Sequence, residues 1–90
     1  MKTIFKYPLT GASYQDLYMP TNAQILKLDT QNGTPCIWAL IDPNESIERI
    51  EIRIFYTGEP IYEADERLHY IGTYKQNEDS LIFHVFKLDM

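Results

Sequence analysis

Cys36, His69 and His84 are the side chains of this sequence best suited to chemistry. A thiolate is a strong nucleophile and an imidazole changes its charge near neutral pH, so a cysteine activated by a histidine would indicate nucleophilic catalysis. If His69 and His84 lie on adjacent strands, they can meet across them and bind a metal or act as acid and base. These three residues are the candidate set for a small enzyme.

The same residues also have a structural interpretation, which the sequence favours. Cys36 lies in the apolar string Pro-Cys-Ile-Trp, and free cysteine is among the most frequently buried residue types. A metal site normally needs three or four ligands, and no cysteine and histidine spacing here supplies them. The chain contains no glycine-rich phosphate loop and no Gly-x-Ser-x-Gly elbow. The sequence therefore predicts no catalytic residue, no metal site and no cofactor.

Aromatic residues are the most distinctive feature of the composition, with seven tyrosines and four phenylalanines. Tyrosine joins a large apolar ring to a polar tip, which suits interfaces and stacking sites. Phe55 shares its strand face with Arg49, Glu51 and Arg53, where a solvated ring would be costly, so we expect it to meet another chain, a ligand or a covering loop. We predict an interaction surface of six residues: Arg53, Phe55, Tyr56, Tyr62, His69 and His84.

Three functions remain open from the residues alone. The aromatic content and small core favour a non-catalytic binding module that acts through protein contacts, with a second copy of the chain as one partner. Alternatively, the protein binds or sequesters a nucleotide, with aromatic rings stacked on the base and Arg49, Arg53 or Arg67 holding phosphate. The third possibility is a small enzyme that uses Cys36, His69 and His84.

Length and charge restrict the architecture and the partners. Ninety residues form a single domain spanning residues 1–90, with a core small enough that association through a sheet face or edge would add useful stability. The formal net charge is −5, and the eight lysines and arginines are dispersed along the chain. This balance argues against a nucleic-acid partner, because such binding needs clustered cations to replace phosphate counterions.

Cysteine usage and the N-terminus predict a cytoplasmic protein. A single cysteine excludes an internal disulfide and fits a reducing compartment. Lys6 and Pro8 interrupt the first apolar stretch, so we expect no secretory signal. No apolar run approaches the roughly 20 residues of a membrane-spanning helix, so we expect no membrane partner.

Short strand-like segments must position these side chains. Asn32-Gly33 lies between two apolar runs and predicts a type I′ hairpin, whose two central residues need positive φ. Residues 49–56 alternate with a period of two, with three isoleucines and Tyr56 on one side and three charged residues and Phe55 on the other. Gly72 predicts a bulge or a close backbone approach. About seven such segments predict an all-β fold, a small antiparallel β-sandwich or barrel, with room for one short helical turn near 61–67.

Several strings of residues carry a resemblance over nearly the whole chain. The most specific are PCIWALIDP at 35–43 and FHVF at 83–86, supported by MKTIFKYP at 1–8, TGEPI at 57–61 and YIGT at 70–73. Together they resemble a family of short uncharacterised proteins from bacteriophage and prophage genomes. The resemblance implies a phage-related origin and a protein that binds and modulates a target. It implies no functional residues, because the family has no assigned activity.

Overall fold

Seven strands form the protein in this computed structural model, which describes residues 1–78 and 80–89. A single turn of 3-10 helix at Asp65–Arg67 precedes the sixth strand. The predicted all-β fold and its short helical turn are therefore confirmed. The strands are β1 Thr3–Pro8, β2 Tyr14–Pro20, β3 Gln24–Gln31, β4 Thr34–Ile41, β5 Ile47–Tyr56, β6 Leu68–Gln76 and β7 Leu81–Leu88.

The strands are arranged in two antiparallel sheets. One is three-stranded with the order β1-β4-β3, and the other is four-stranded with the order β2-β5-β7-β6. Asn32 and Gly33 join β3 to β4 with φ values of 52° and 80°, which confirms the predicted hairpin turn. β1 and β2 lie at sheet edges and end at Pro8 and Pro20, residues that have no N–H to donate to a ladder.

The hydrophobic core lies between the two sheets, where one face of the first packs against one face of the second. Because side chains alternate along β5, Ile50, Ile52 and Ile54 face the core. Arg49, Glu51, Arg53 and Phe55 face away from it. We call the side of the four-stranded sheet that faces the core its inner face and the opposite side its outer face. The buried cluster consists of Leu9, Leu17, Met19, Ile37, Ile50, Ile52, Ile54, Tyr74 and Val85.

Gly72 lies where the two sheets approach each other. The register of β6 on β7 shifts between Tyr70 and Gly72, which is a β-bulge. A β-carbon at position 72 would lie 3.1 Å from Cδ2 and 3.2 Å from Cβ of Leu28 on β3. Both parts of the expectation for Gly72, a bulge and a close approach, are therefore confirmed. A second register shift between Ile25 and Lys27 contains no glycine, so no residue type signalled it.

Substituting Gly72 should weaken the contact between the sheets. We expect Gly72→Ala to lower the free energy of unfolding by about 1–3 kcal/mol, because the added methyl group overpacks Leu28. The matched control is Gly11→Ala, whose β-carbon would meet no atom within 4 Å and should change stability little. Urea denaturation measures both, and equal stability of the two variants would contradict the role given to Gly72.

Candidate functional site

The outer face of the four-stranded sheet gathers polar and aromatic side chains from all four of its strands. On β2, Tyr14 lies beside Arg53 and Tyr18 beside Arg49. On β7, Phe86 lies beside Arg53 and His84 beside Phe55. Its polar and aromatic members are Tyr14, Asp16, Tyr18, Arg49, Glu51, Arg53, Phe55, Tyr70, Thr73, Lys75, His84 and Phe86, and the register places the apolar Leu68, Ile82 and Leu88 on the same face.

A row of alternating charges crosses this face. Arg53 Nε lies 3.7 Å from Glu63 Oε1, and its Nη2 lies 3.8 Å from Glu51 Oε1. Arg49 continues the row, with Nη2 3.7 Å from Glu51 Oε1 and Nη1 3.9 Å from Asp16 Oδ2. The side chains of Arg53, Glu51 and Glu63 are only 13%, 17% and 16% exposed. Attraction at this end of the row is therefore less screened by water and salt than at the exposed Asp16 end.

Arg53 is held in place by several groups of its own chain. Its Nη1 donates a 3.1 Å hydrogen bond to the carbonyl of Ile52, and its guanidinium lies 4.4 Å from the centre of the Tyr14 ring. The two carboxylates lie at charge-pairing rather than hydrogen-bonding distance, and Arg53 Nε makes no hydrogen bond within the described residues. Arg53 thus fixes the Tyr14 ring and ties the 57–67 segment, through Glu63, across the outer face.

A row of aromatic rings runs beside the charges. Phe86 packs edge-on against Phe55, with ring centroids 5.8 Å apart, and against Tyr70, with centroids 5.5 Å apart. These edge-to-face arrangements are favourable for aromatic quadrupoles. Phe55 is only 4% exposed. The ring packs against Phe86 on the neighbouring strand of its own chain, so Phe55 supports the surface from below.

His84 joins a line of hydroxyl groups at the end of the outer face. Its Nε2 lies 2.8 Å from Thr57 Oγ1 and its Nδ1 lies 3.1 Å from Thr73 Oγ1, which is 2.6 Å from the Tyr70 hydroxyl. A hydroxyl group can donate or accept, so these threonines satisfy either tautomer and the protonated ring alike. His84 thereby anchors the start of the 57–67 segment to β6 and β7.

Cys36, His69 and His84 are not brought together. His69 Nε2 lies 2.6 Å from Asp89 Oδ2, and His69 pairs with Lys87 in the row of Ile52, on the opposite side of the sheet from His84. The two histidines do not meet although β6 and β7 are adjacent: His69 lies beside Lys87, three residues along β7 from His84, and the bulge between Tyr70 and Gly72 turns His69 to the other side of the sheet. Cys36 is buried in the other sheet, with its Sγ 3.5 Å from the carbonyl of Thr34.

The other candidate residues for phosphate or metal binding do not form a site of their own within the described residues. Arg67, like Arg49 and Arg53, has a partner in its own chain, since its Nε donates to the carbonyl of Asp89 at 3.0 Å. Burial raises the pKa of Tyr74. The hydrogen bond from the Thr30 N–H, and after it the hydrogen bond and charge of Lys27, lower the pKa of Asp29. Both groups lie away from the outer face. Among the described residues, no three histidine, cysteine, aspartate or glutamate side chains are grouped to hold a metal.

The family of the chain follows from its full length. Residues 1–90 match the family model described as Domain of unknown function (DUF7352). The chain belongs to this family. No curated protein matches it, and no solved structure does either. Within the described residues, no helix of this family member is long and apolar enough to cross a membrane.

Five tyrosines of this DUF7352 member are more than half exposed: Tyr14, Tyr18, Tyr56, Tyr62 and Tyr70. Three of them lie on the outer face, and Tyr62 directly precedes Glu63 in the segment that crosses it. The alternation of β5 places Tyr56 on the inner side of the sheet, with Ile52 and Ile54. There Tyr56 borders an open apolar groove of about 420 Å³ that is also lined by residues 57 and 80–83. The predicted surface residues thus fall on two sides of the sheet.

Sequence reasoning did not include Tyr14 and Tyr18 in the predicted surface. The alternation of β2 places both on one side of the strand with Asp16, which is a readable signal. Their importance depends on the pairing of β2 with β5, which sets these rings beside Arg53 and Arg49. That pairing joins segments distant in sequence and has no local signature.

Proposed function

We propose that this protein is a non-catalytic binding module that recognises a partner protein through Tyr14, Tyr18 and Tyr70. The observation that carries the proposal is the exposure of these rings on one face of a sheet. Tyr14 is held against the guanidinium of Arg53, and Tyr70 is held by Phe86 and by its hydroxyl contact with Thr73. Exposed rings that are already immobilised lose little conformational entropy on binding and are frequent binding hot spots.

The charges around the tyrosines support contact with a protein. Asp16 and Arg49 are partly exposed beside Tyr18 and resemble the polar rim of an interface. The more buried pair, Arg53 and Glu51, stiffens the centre without being presented to solvent. The resemblance to phage and prophage proteins supports an accessory role in phage biology, and the free, buried thiol of Cys36 supports a reducing, cytoplasmic location.

Quantitative affinity capture from a bacterial lysate tests the tyrosine surface. We expect Tyr14→Ser/Tyr18→Ser to reduce recovery of the captured protein at least tenfold, because loss of hot-spot tyrosines costs more than 1.4 kcal/mol in binding. Tyr56→Ser is the matched control, since Tyr56 is similarly exposed but lies on the opposite side of the sheet from Tyr14 and Tyr18. Thermal unfolding of each variant checks that the fold is retained. Equal capture by the wild-type protein and the double variant would refute the proposal.

A further inference from the structure

Within the described residues, β1 pairs with β4 on one side only, so its outer edge is free. Leu9 N–H donates to the carbonyl of Pro35 at 2.8 Å, in the same register as the β1–β4 ladder. Because inward hydrogen bonding alternates along an antiparallel strand, Thr3, Phe5 and Tyr7 bond to β4, and Ile4 and Lys6 direct their N–H and C=O groups away from the sheet. Unpaired main-chain groups of this kind are a template for another strand.

The usual protection of an edge strand is weak on β1. A lysine often guards such an edge with its charge, but Lys6 extends across its own sheet and donates a 2.6 Å hydrogen bond to Gln31 at the end of β3. The strand also presents apolar surface at the edge. Phe5 lies on the core-facing side beside Ala39 and is nevertheless 49% exposed, and Ile4 on the other side is also more than half exposed.

We propose that a second copy of this chain pairs with β1, antiparallel and about a two-fold axis. The two three-stranded sheets then become one continuous six-stranded sheet. A two-fold arrangement needs no further surface, because the same strand serves both copies. Phe5 of one copy lies opposite Phe5 of the other and closes the open edge of both cores. The gain is the burial of two half-exposed rings together with new ladder hydrogen bonds.

The half-exposed Phe5 rings select the register of this pairing. With Ile4 opposite Lys6 of the second copy, Phe5 lies on the axis, opposite Phe5, and each Ile4–Lys6 pair can exchange N–H and C=O hydrogen bonds. With Ile4 opposite Ile4, Phe5 would face the smaller and more polar Thr3 instead. With Lys6 opposite Lys6, Ile4 would face Pro8, which has no N–H to donate.

The edge at β2 is less suitable for the same contact. Ile54 N–H donates to the carbonyl of Ser13 at 2.9 Å, so alternation leaves Tyr14, Asp16 and Tyr18 with outward main-chain groups. Pairing about Asp16 would set two carboxylates opposite each other. Pairing about Leu17 would bury little new apolar surface, because Leu17 already lies in the core. β3, the other edge of the three-stranded sheet, is partly covered by β6 where Leu28 meets Gly72.

Sedimentation equilibrium over a concentration series tests the β1 pairing. We expect the wild-type chain to approach twice its 10.6 kDa mass at high concentration. Ile4→Pro should raise the dimer dissociation constant at least tenfold, because it removes an outward N–H while leaving the inward bonds of β1 intact. Ile4→Thr, which keeps that N–H, is the control and should remain closer to the wild-type value. Thermal unfolding confirms that each variant is folded.

Hydrogen exchange identifies the surface independently of mass. The amides of Ile4 and Lys6 should become more protected as the protein concentration rises. A wild-type chain that stays monomeric, or a dimer that Ile4→Pro leaves unchanged, would overturn the proposal. Tyr14→Ser/Tyr18→Ser should still dimerise, so failure of the β1 pairing and failure of the tyrosine surface are separate results.

Discussion

Ile52→Ala is expected to lower the free energy of unfolding by about 2–5 kcal/mol, the usual cost of a cavity left by a large core side chain. Ile52 is completely buried on β5, which lies between β2 and β7 in the four-stranded sheet. A domain of this length has a total stability on the order of 5–13 kcal/mol, so the variant should lose a large part of it. Equilibrium unfolding in urea gives the difference directly.

Ile47→Ala is the matched control for this experiment. Ile47 begins the same strand and is 62% exposed, so the same substitution there should change stability by about 0.5 kcal/mol or less. If the two alanine variants were equally stable, the assignment of the isoleucine alternation to an inner and an outer side would be wrong.

Arg53→Met should produce the second largest effect, a loss of about 2 kcal/mol at pH 7. It removes the cation that lies between Glu51 and Glu63 and leaves two largely shielded carboxylates without their partner. The expected loss is smaller than the 3–5 kcal/mol of a fully buried ion pair because water still reaches part of each side chain. Chemical denaturation at pH 7 measures it.

Two further variants identify the cause. In the Glu51→Gln background only one of the two carboxylates keeps its charge, so Arg53→Met should cost less there than in the wild-type protein. Arg49→Met removes the exposed cation of the same row and should cost about 0–1 kcal/mol. Equal losses for the two arginine variants, with no change in the Glu51→Gln background, would show that the shielded end of the row has no special role.

The strands and turns were predictable because their causes are local. The period of two along residues 49–56 separates core from outer side chains, and Asn32-Gly33 marks a turn that few other residues can adopt. Gly72 signalled its bulge because a residue without a side chain is needed beside Leu28. The shift between Ile25 and Lys27 was not predictable, since its residues fit a regular strand equally well.

The candidate site depended on pairings between distant segments. Phe55 was marked by its charged neighbours, but only the packing of Phe86 shows how it is buried. In a regular strand, His69 and Thr73 would share a face, because they are four residues apart. The bulge shifts that alternation by one residue and leaves His84 with Thr73 while His69 turns to the other side.

The amino-acid sequence by itself determined the all-β class, a count of about seven strands and the side of β5 that faces the core. These properties follow from side-chain alternation and turn conformations, which act over a few residues. The tertiary structure alone decided that β2 joins β5, that Arg53 lies between Tyr14 and Glu63, and that β1 is left with a free edge. Strand order and register depend on the packing of whole sheets, so no short stretch of residues encodes them.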